Sequence, residues 1–285
     1  MGFLMKRSVV VALVALFALP YVAAAQQRPL VTEDPEPIGA GRVLIEGGFD
    51  YSIDDQYPAS GLQGDLLRIP TLGVSIGISS IAEFQIDGGL YNRLTITDRQ
   101  QAALSGLLTV TGDTTHDVED VVVATKIRIL SEAARHPAFA LRFATKLPNA
   151  GNEAGIGLDT IDFFASLLGA KTVQSVRIVG NVGVGILSDP TAIDRQNDVL
   201  TYGASVARAI TDRAEFVGEL NGRWSTRRGG PFPGTETKSI LNLGGRYTIR
   251  SFRLDGGIFV GLTTLNPTIG FSGGFTYVFN AFEVP

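Results

Sequence analysis

Twelve stretches of the chain alternate apolar with small or polar residues at a period of two, the signature of strands whose two faces meet unlike surroundings. The alternation is clearest in 267–279. One face there carries Ile269, Phe271, Gly273, Phe275, Tyr277 and Phe279, and the other Thr268, Gly270, Ser272, Gly274, Thr276 and Val278. In 42–51, Val43, Ile45, Phe49 and Tyr51 oppose Arg42, Leu44, Glu46 and Asp50. In 66–78, Leu72, Val74, Ile76 and Ile78 oppose Thr71, Gly73 and Ser75. The pattern recurs in 82–91, 120–130, 138–147, 160–170, 176–186, 199–210, 214–224, 238–249 and 252–262, with Phe164 and Leu168 blurring the phase of 160–170. Nearly every charge inside these stretches falls on the second face. Arg68 and Arg208 are the main exceptions, each near a strand end where a long side chain can reach polar surroundings.

One-sided charge on so many strands predicts an all-β chain: a transmembrane up-and-down antiparallel β-barrel of about 12 strands, apolar towards lipid and polar towards the lumen. Eleven residues at about 3.3 Å each, tilted by about 45°, cover the roughly 25 Å apolar band. The alternative is a soluble secreted β-protein with the apolar face inward, which would need bulky residues to fill so wide an interior. Connection lengths alternate as well. The segments 79–81, 131–137, 171–175, 211–213 and 250–251 are short, whereas 52–65, 92–119, 148–159, 187–198 and 225–237 are long; 263–266 is a short member of the second set. Short turns on one side and long loops on the other is the outer-membrane arrangement. Aromatics cluster near strand ends, Tyr51, Tyr202 and Trp224 on the loop side and Phe84, Phe139, Tyr247, Phe252 and Phe279 on the turn side, as interfacial girdles require.

The N-terminal region has its own organisation. Lys6 and Arg7 precede the apolar run 9–19, then Pro20 and the small residues Ala23, Ala24 and Ala25, which reads as a signal peptide over residues 1–25. Residues 26–40 hold Pro29, Pro35 and Pro37 among Glu33, Asp34 and Glu36. They are expected to form an extended periplasmic lead-in, with a plug inside the barrel as the alternative. The barrel itself is assigned to 41–285. Glycine makes up 34 of the 285 residues, roughly 12 % against about 7 % in an average chain, as suits a glycine- and aromatic-rich barrel. A net charge of −4 supplies no basic field for nucleic acid, so no nucleic-acid partner is expected. The absence of cysteine excludes disulfides, thiolate zinc sites and a lipoprotein anchor.

Two resemblances sharpen this reading. Ser272, Gly274, Tyr277 and Phe279 fall on a pattern that resembles the C-terminal assembly signal of Gram-negative outer-membrane barrels, although six further residues follow it here. Arg28-Pro29-Leu30-Val31-Thr32-Glu33-Asp34, Gly39-Ala40-Gly41-Arg42, Ala144-Thr145-Lys146-Leu147-Pro148-Asn149 and Gly157-Leu158-Asp159-Thr160-Ile161-Asp162-Phe163 together resemble the MetA-pathway-of-phenol-degradation family. That resemblance implies an outer-membrane, transporter-like barrel and carries no catalytic residues. The partners expected are outer-membrane lipid, the barrel assembly machinery and a small-molecule solute.

Catalytic chemistry finds little support. His136 lies in a short turn beside Pro137, and His116 lies in the longest loop near Asp113, Asp117, Glu119 and Asp120. A rim enzyme could use His116, but no Gly-x-Ser-x-Gly elbow accompanies it. No catalytic residue, metal or cofactor is assigned. The lumen face says more. Lys126, Arg128, Arg142 and Lys146 form a basic wall, and Glu46, Asp50, Glu83, Asp87, Glu215 and Glu219 an acidic one. If the walls oppose each other they set up a transverse field, as in a porin constriction; if they pair, they brace a plugged barrel. The expected function is diffusion of small solutes, aromatic or otherwise hydrophobic ones among them, through a charged lumen. The alternative is a closed structural or surface-binding barrel.

Overall fold

The computed structural model describes residues 28–192 and 194–284; the predicted signal peptide lies outside them. The described chain forms fourteen strands. They are β1 (Arg42–Tyr57), β2 (Leu62–Gly77), β3 (Ala82–Gly89), β4 (Asn92–Arg99), β5 (Thr114–Asp117), β6 (Val122–Leu130), β7 (Ala138–Lys146), β8 (Asp162–Val173), β9 (Val176–Ser188), β10 (Gln196–Ala209), β11 (Ala214–Ser225), β12 (Lys238–Ile249), β13 (Phe252–Gly261) and β14 (Ile269–Asn280). Twelve of the fourteen close into an antiparallel barrel: β1 pairs with β14 on one side and with β2 on the other. Closure removes the free edge that an open sheet would leave unpaired.

The period-two phase places the side chains as expected. Outward lie Phe49, Phe143, Phe163, Val182, Val184, Phe216, Leu254 and Phe271, each exposed. Inward lie Glu46, Glu83, Gln85, Lys126, Glu219, Asn242 and Thr276, each buried. A large apolar residue left exposed beside a buried lysine is the inverse of a water-soluble fold and suits a chain surrounded by lipid. Phe164 and Leu168, which blur the pattern of β8, share its lumen face with Asp162 and Ser166; Leu168 is buried there. Aromatic rings stack near the turn end, Phe252 on Phe275 and Tyr277 on Phe279.

The phase can be tested by one pair of substitutions. Val182 sits mid-strand on β9 and is 49 % exposed. Val182→Arg is expected to cost about 2–4 kcal/mol of barrel stability at the bilayer midplane. Thr201→Arg, on the lumen face of the adjacent β10, is expected to assemble normally. The fraction of protein migrating as the folded, heat-modifiable band reads both, and equal tolerance would show the inside–outside assignment to be wrong.

Three expectations are corrected. The loop 92–119 contains strand β4, which pairs with β2 and continues the sheet beyond the barrel, and strand β5, which pairs with β4. They are held by an apolar cluster of Leu62, Leu66 and Leu94, against which Tyr57, Ile96, Leu108 and Ile156 pack. Arg68 does not reach out from the apolar face. A register shift between Gly48 and Asp50 brings it opposite Asp50, and its guanidinium binds Asp50 at 2.6 Å and Glu119 at 2.7 Å. The third correction concerns residues 28–38. They do not form a periplasmic lead-in but run as a strap through the barrel lumen.

Candidate functional site: a strapped lumen

The strap enters beside the turn end, where Ile38 is buried with Leu44 of β1 and Val278 of β14. The Ile38 N–H donates to Glu83 of β3 at 2.7 Å. Further along, the strap carboxylates meet cations on three strands. Glu36 binds Arg128 of β6 at 2.5 Å, and Asp34 binds Arg177 of β9 at 2.7 Å. Glu33 is shared between Lys126 of β6 at 3.2 Å and Arg142 of β7 at 3.1 Å. The side-chain amide of Asn181 on β9 brackets Glu33, donating to its carbonyl at 2.9 Å and accepting from its N–H at 2.7 Å.

The strap then crosses to the opposite wall. The N–H groups of Val31 and Thr32 both donate to Glu219 of β11. Asn242 of β12 donates to the Pro29 carbonyl at 2.6 Å, and Arg246 to the Arg28 carbonyl at 2.9 Å. Arg28 donates to Thr71 of β2 and to the Gly273 carbonyl of β14, and lies 3.5 Å from Asp255 of β13. A segment that cannot join the sheet thus has its backbone groups satisfied by lumen side chains, as burial demands. Its prolines lower the number of N–H groups to satisfy.

Glycines on the lumen face admit the strap. A Cβ at Gly274 would lie 2.6 Å from Nε of Arg28, and one at Gly203 would lie 2.6 Å from the Thr32 hydroxyl. The backbone is bare where the strap passes closest. Gly274, a position of the resemblance to an assembly signal, therefore also has a packing reason in the folded barrel. Ser272 shares its lumen face, while Tyr277 and Phe279 lie on the lipid side.

The predicted walls are not separated. Glu83 and Lys126 are register partners on neighbouring strands and form an ion pair at 2.9 Å. Asp87 lies 3.8 Å from Arg142, and Lys146 binds Asp120 at 2.9 Å and Asp162 at 3.1 Å. Asp50 is held by Arg68, Glu46 lies 3.9 Å from Arg253, and Glu215 lies 3.8 Å from Arg246. Most of these charges find a partner on an adjacent strand or on the strap, while Asp87 and Glu46 reach a cation one strand further round, because charges taken out of water are costly unless paired. At the turn end, Glu132 between β6 and β7 holds Arg177 at 2.5 Å. Partial burial raises its carboxyl, but the Thr172 N–H and hydroxyl, Lys171 and Arg177 outweigh that and hold it below the ordinary glutamate value.

The histidines lie outside the lumen network. His116 is exposed on β5 with its ring 5.6 Å from that of Tyr91, and His136 closes the β6–β7 turn through a bridge to Ala133. Among the described residues no cluster of side chains has the makings of a metal site.

No family model matches the chain, and no curated protein matches it. Solved structures do. An outer membrane channel from Pseudomonas putida F1 superposes with a TM-score of 0.59 at 13 % identity, covering 86 % of this chain and 98 % of that one. The NanC porin superposes with a TM-score of 0.51 at 10 % identity, covering 82 % of this chain and 98 % of the porin. At these identities the likeness is one of fold: the chain has the closed, all-antiparallel barrel of outer-membrane channels and porins.

Proposed function

We propose that the chain is an outer-membrane channel that passes small solutes by diffusion through a charged lumen constricted by its own N-terminal strap. The observation that carries this reading is a polar lumen inside an apolar outer surface. A barrel that served only as a scaffold would gain more from an apolar filling than from this many buried ion pairs. The channel and porin whose folds it shares favour the same reading, as do the motifs that resemble the MetA-pathway-of-phenol-degradation family. Residence in the Gram-negative outer membrane and delivery by the barrel assembly machinery through Ser272, Gly274, Tyr277 and Phe279 belong to the same proposal.

One observation favours the closed, surface-binding alternative. Lys126 is only 1 % exposed between Glu33 and Glu83, so the strap is firmly clamped where it crosses. Planar-bilayer recording of the purified protein decides between the two. The channel reading expects discrete conductance steps from the intact chain. Silence from both the intact chain and a chain lacking residues 28–37 would establish the closed barrel instead.

A further inference from the structure

The strap does not fill the lumen. A cavity of about 340 Å³ lies there, with Val31, Thr32 and Glu33 of the strap on one side and β7 to β12 around it. Its size is at the small end of ligand pockets. Two of its lining residues, Arg223 and Lys238, are register partners on β11 and β12. Arg142, which also lines the cavity, and Lys126, Lys146, Arg177 and Arg246 elsewhere in the lumen each hold a carboxylate within 4 Å. Arg223 and Lys238 do not. Arg223 donates to two backbone carbonyls, Glu236 at 2.9 Å and Gly234 at 2.7 Å. The side chain of Lys238 makes no hydrogen bond or ion pair with the described residues; Asp55 and Glu236 act on it, and Glu236 and Asp162 on Arg223, from beyond ion-pair distance.

The rest of the lining complements these cations. Glu33, the one carboxylate on the cavity wall, is engaged by Lys126 and Arg142. Phe164 presents an aromatic ring to the cavity, and Val31, 67 % exposed, presents an apolar surface from the strap. Asn181 and Asn221 add amides. Two adjacent cations without a carboxylate partner, facing a small cavity that also offers apolar surface, suit an anion with an apolar body.

We infer that this vestibule is a binding site for a small organic monocarboxylate, with Arg223 and Lys238 holding the carboxylate and Phe164 and Val31 the apolar body. The inference deepens the channel reading by naming a class of solute for it. Its test, however, requires no membrane. Titration calorimetry of the detergent-solubilised intact protein with benzoate is compared with its neutral isostere benzamide and with acetate. Benzoate is expected to bind at least about tenfold more tightly than either. Lys238→Gln should abolish the preference for benzoate over benzamide, and Lys238→Arg should keep it; folding of both is checked by heat-modifiable migration. Equal binding of benzoate and benzamide by the unaltered protein overturns the site, as does an unchanged preference in Lys238→Gln. Acetate binding as tightly as benzoate overturns the assignment of Phe164 and Val31. A protein that binds benzoate but conducts nothing would refute the channel and leave the site standing.

Discussion

Excising residues 28–37 is expected to yield a folded barrel whose single-channel conductance is several-fold that of the intact chain. The strap reaches β2, β3, β6, β7, β9, β11, β12, β13 and β14 through side-chain bonds, so it lies across the lumen rather than along one wall. Its removal leaves the β-ladder untouched, because no strap residue pairs in the sheet. Water entering the vacated volume would solvate Arg128, Arg142 and Arg177, which lose their strap carboxylates. The field of a positive wall would then act on passing ions and shift the reversal potential towards anion selectivity. Unchanged conductance with a normally folded barrel would show that the strap is not the constriction.

Lys126→Met is the single substitution with the largest expected cost to stability, about 3–5 kcal/mol. The ammonium is 1 % exposed and is held by Glu33 at 3.2 Å, Glu83 at 2.9 Å and the Asp34 carbonyl at 2.9 Å. Methionine fills a similar volume but leaves Glu33 and Glu83 facing each other without that cation, in a place water scarcely reaches. The loss should appear as a lower denaturant midpoint in refolding from urea into detergent. Adding Glu83→Gln to Lys126→Met should restore part of it, since one buried carboxylate is then neutral. A loss under about 1 kcal/mol would place this cluster with hydrated surface pairs and weaken the idea of a clamped strap.

What could be read from the chain before its folding follows from what each signal depends on. The barrel was legible because the face of Val182 against Asn181, or of Phe143 against Arg142, depends only on neighbours in sequence and on the pleat. The strap was not. Glu33, Asp34 and Glu36 among prolines look solvated until Lys126, Arg128 and Arg177 are placed around them, and those lie 93, 92 and 143 residues from their partners. The same limit hid the pairing of Glu83 with Lys126: both were assigned to the lumen, but their register follows from how β3 meets β6 across the long connection that holds β4 and β5. Strand β5 has four residues, too few for alternation to register, whereas Leu94 and Ile96 of β4 did carry a readable pattern inside what looked like a loop. Arg68 changed face because a bulge shifts the count by one, a feature of the pair of strands and not of either alone.

The seam between β1 and β14 gives the strap one more property. Arg28 bonds Gly273, 245 residues away, and Asp255 and Asn242 lie nearly as far along the chain. Those partners come from the last three strands, so a chain that has laid down only β1 to β11 can offer the strap its cationic side and Glu219 but not the far anchorage. The N-terminal segment is thus fully seated only when the final strand has met the first. It works as a latch that registers completion, and any truncation or slip at the C-terminal strand should be felt first as a loose strap, before the wall itself gives way.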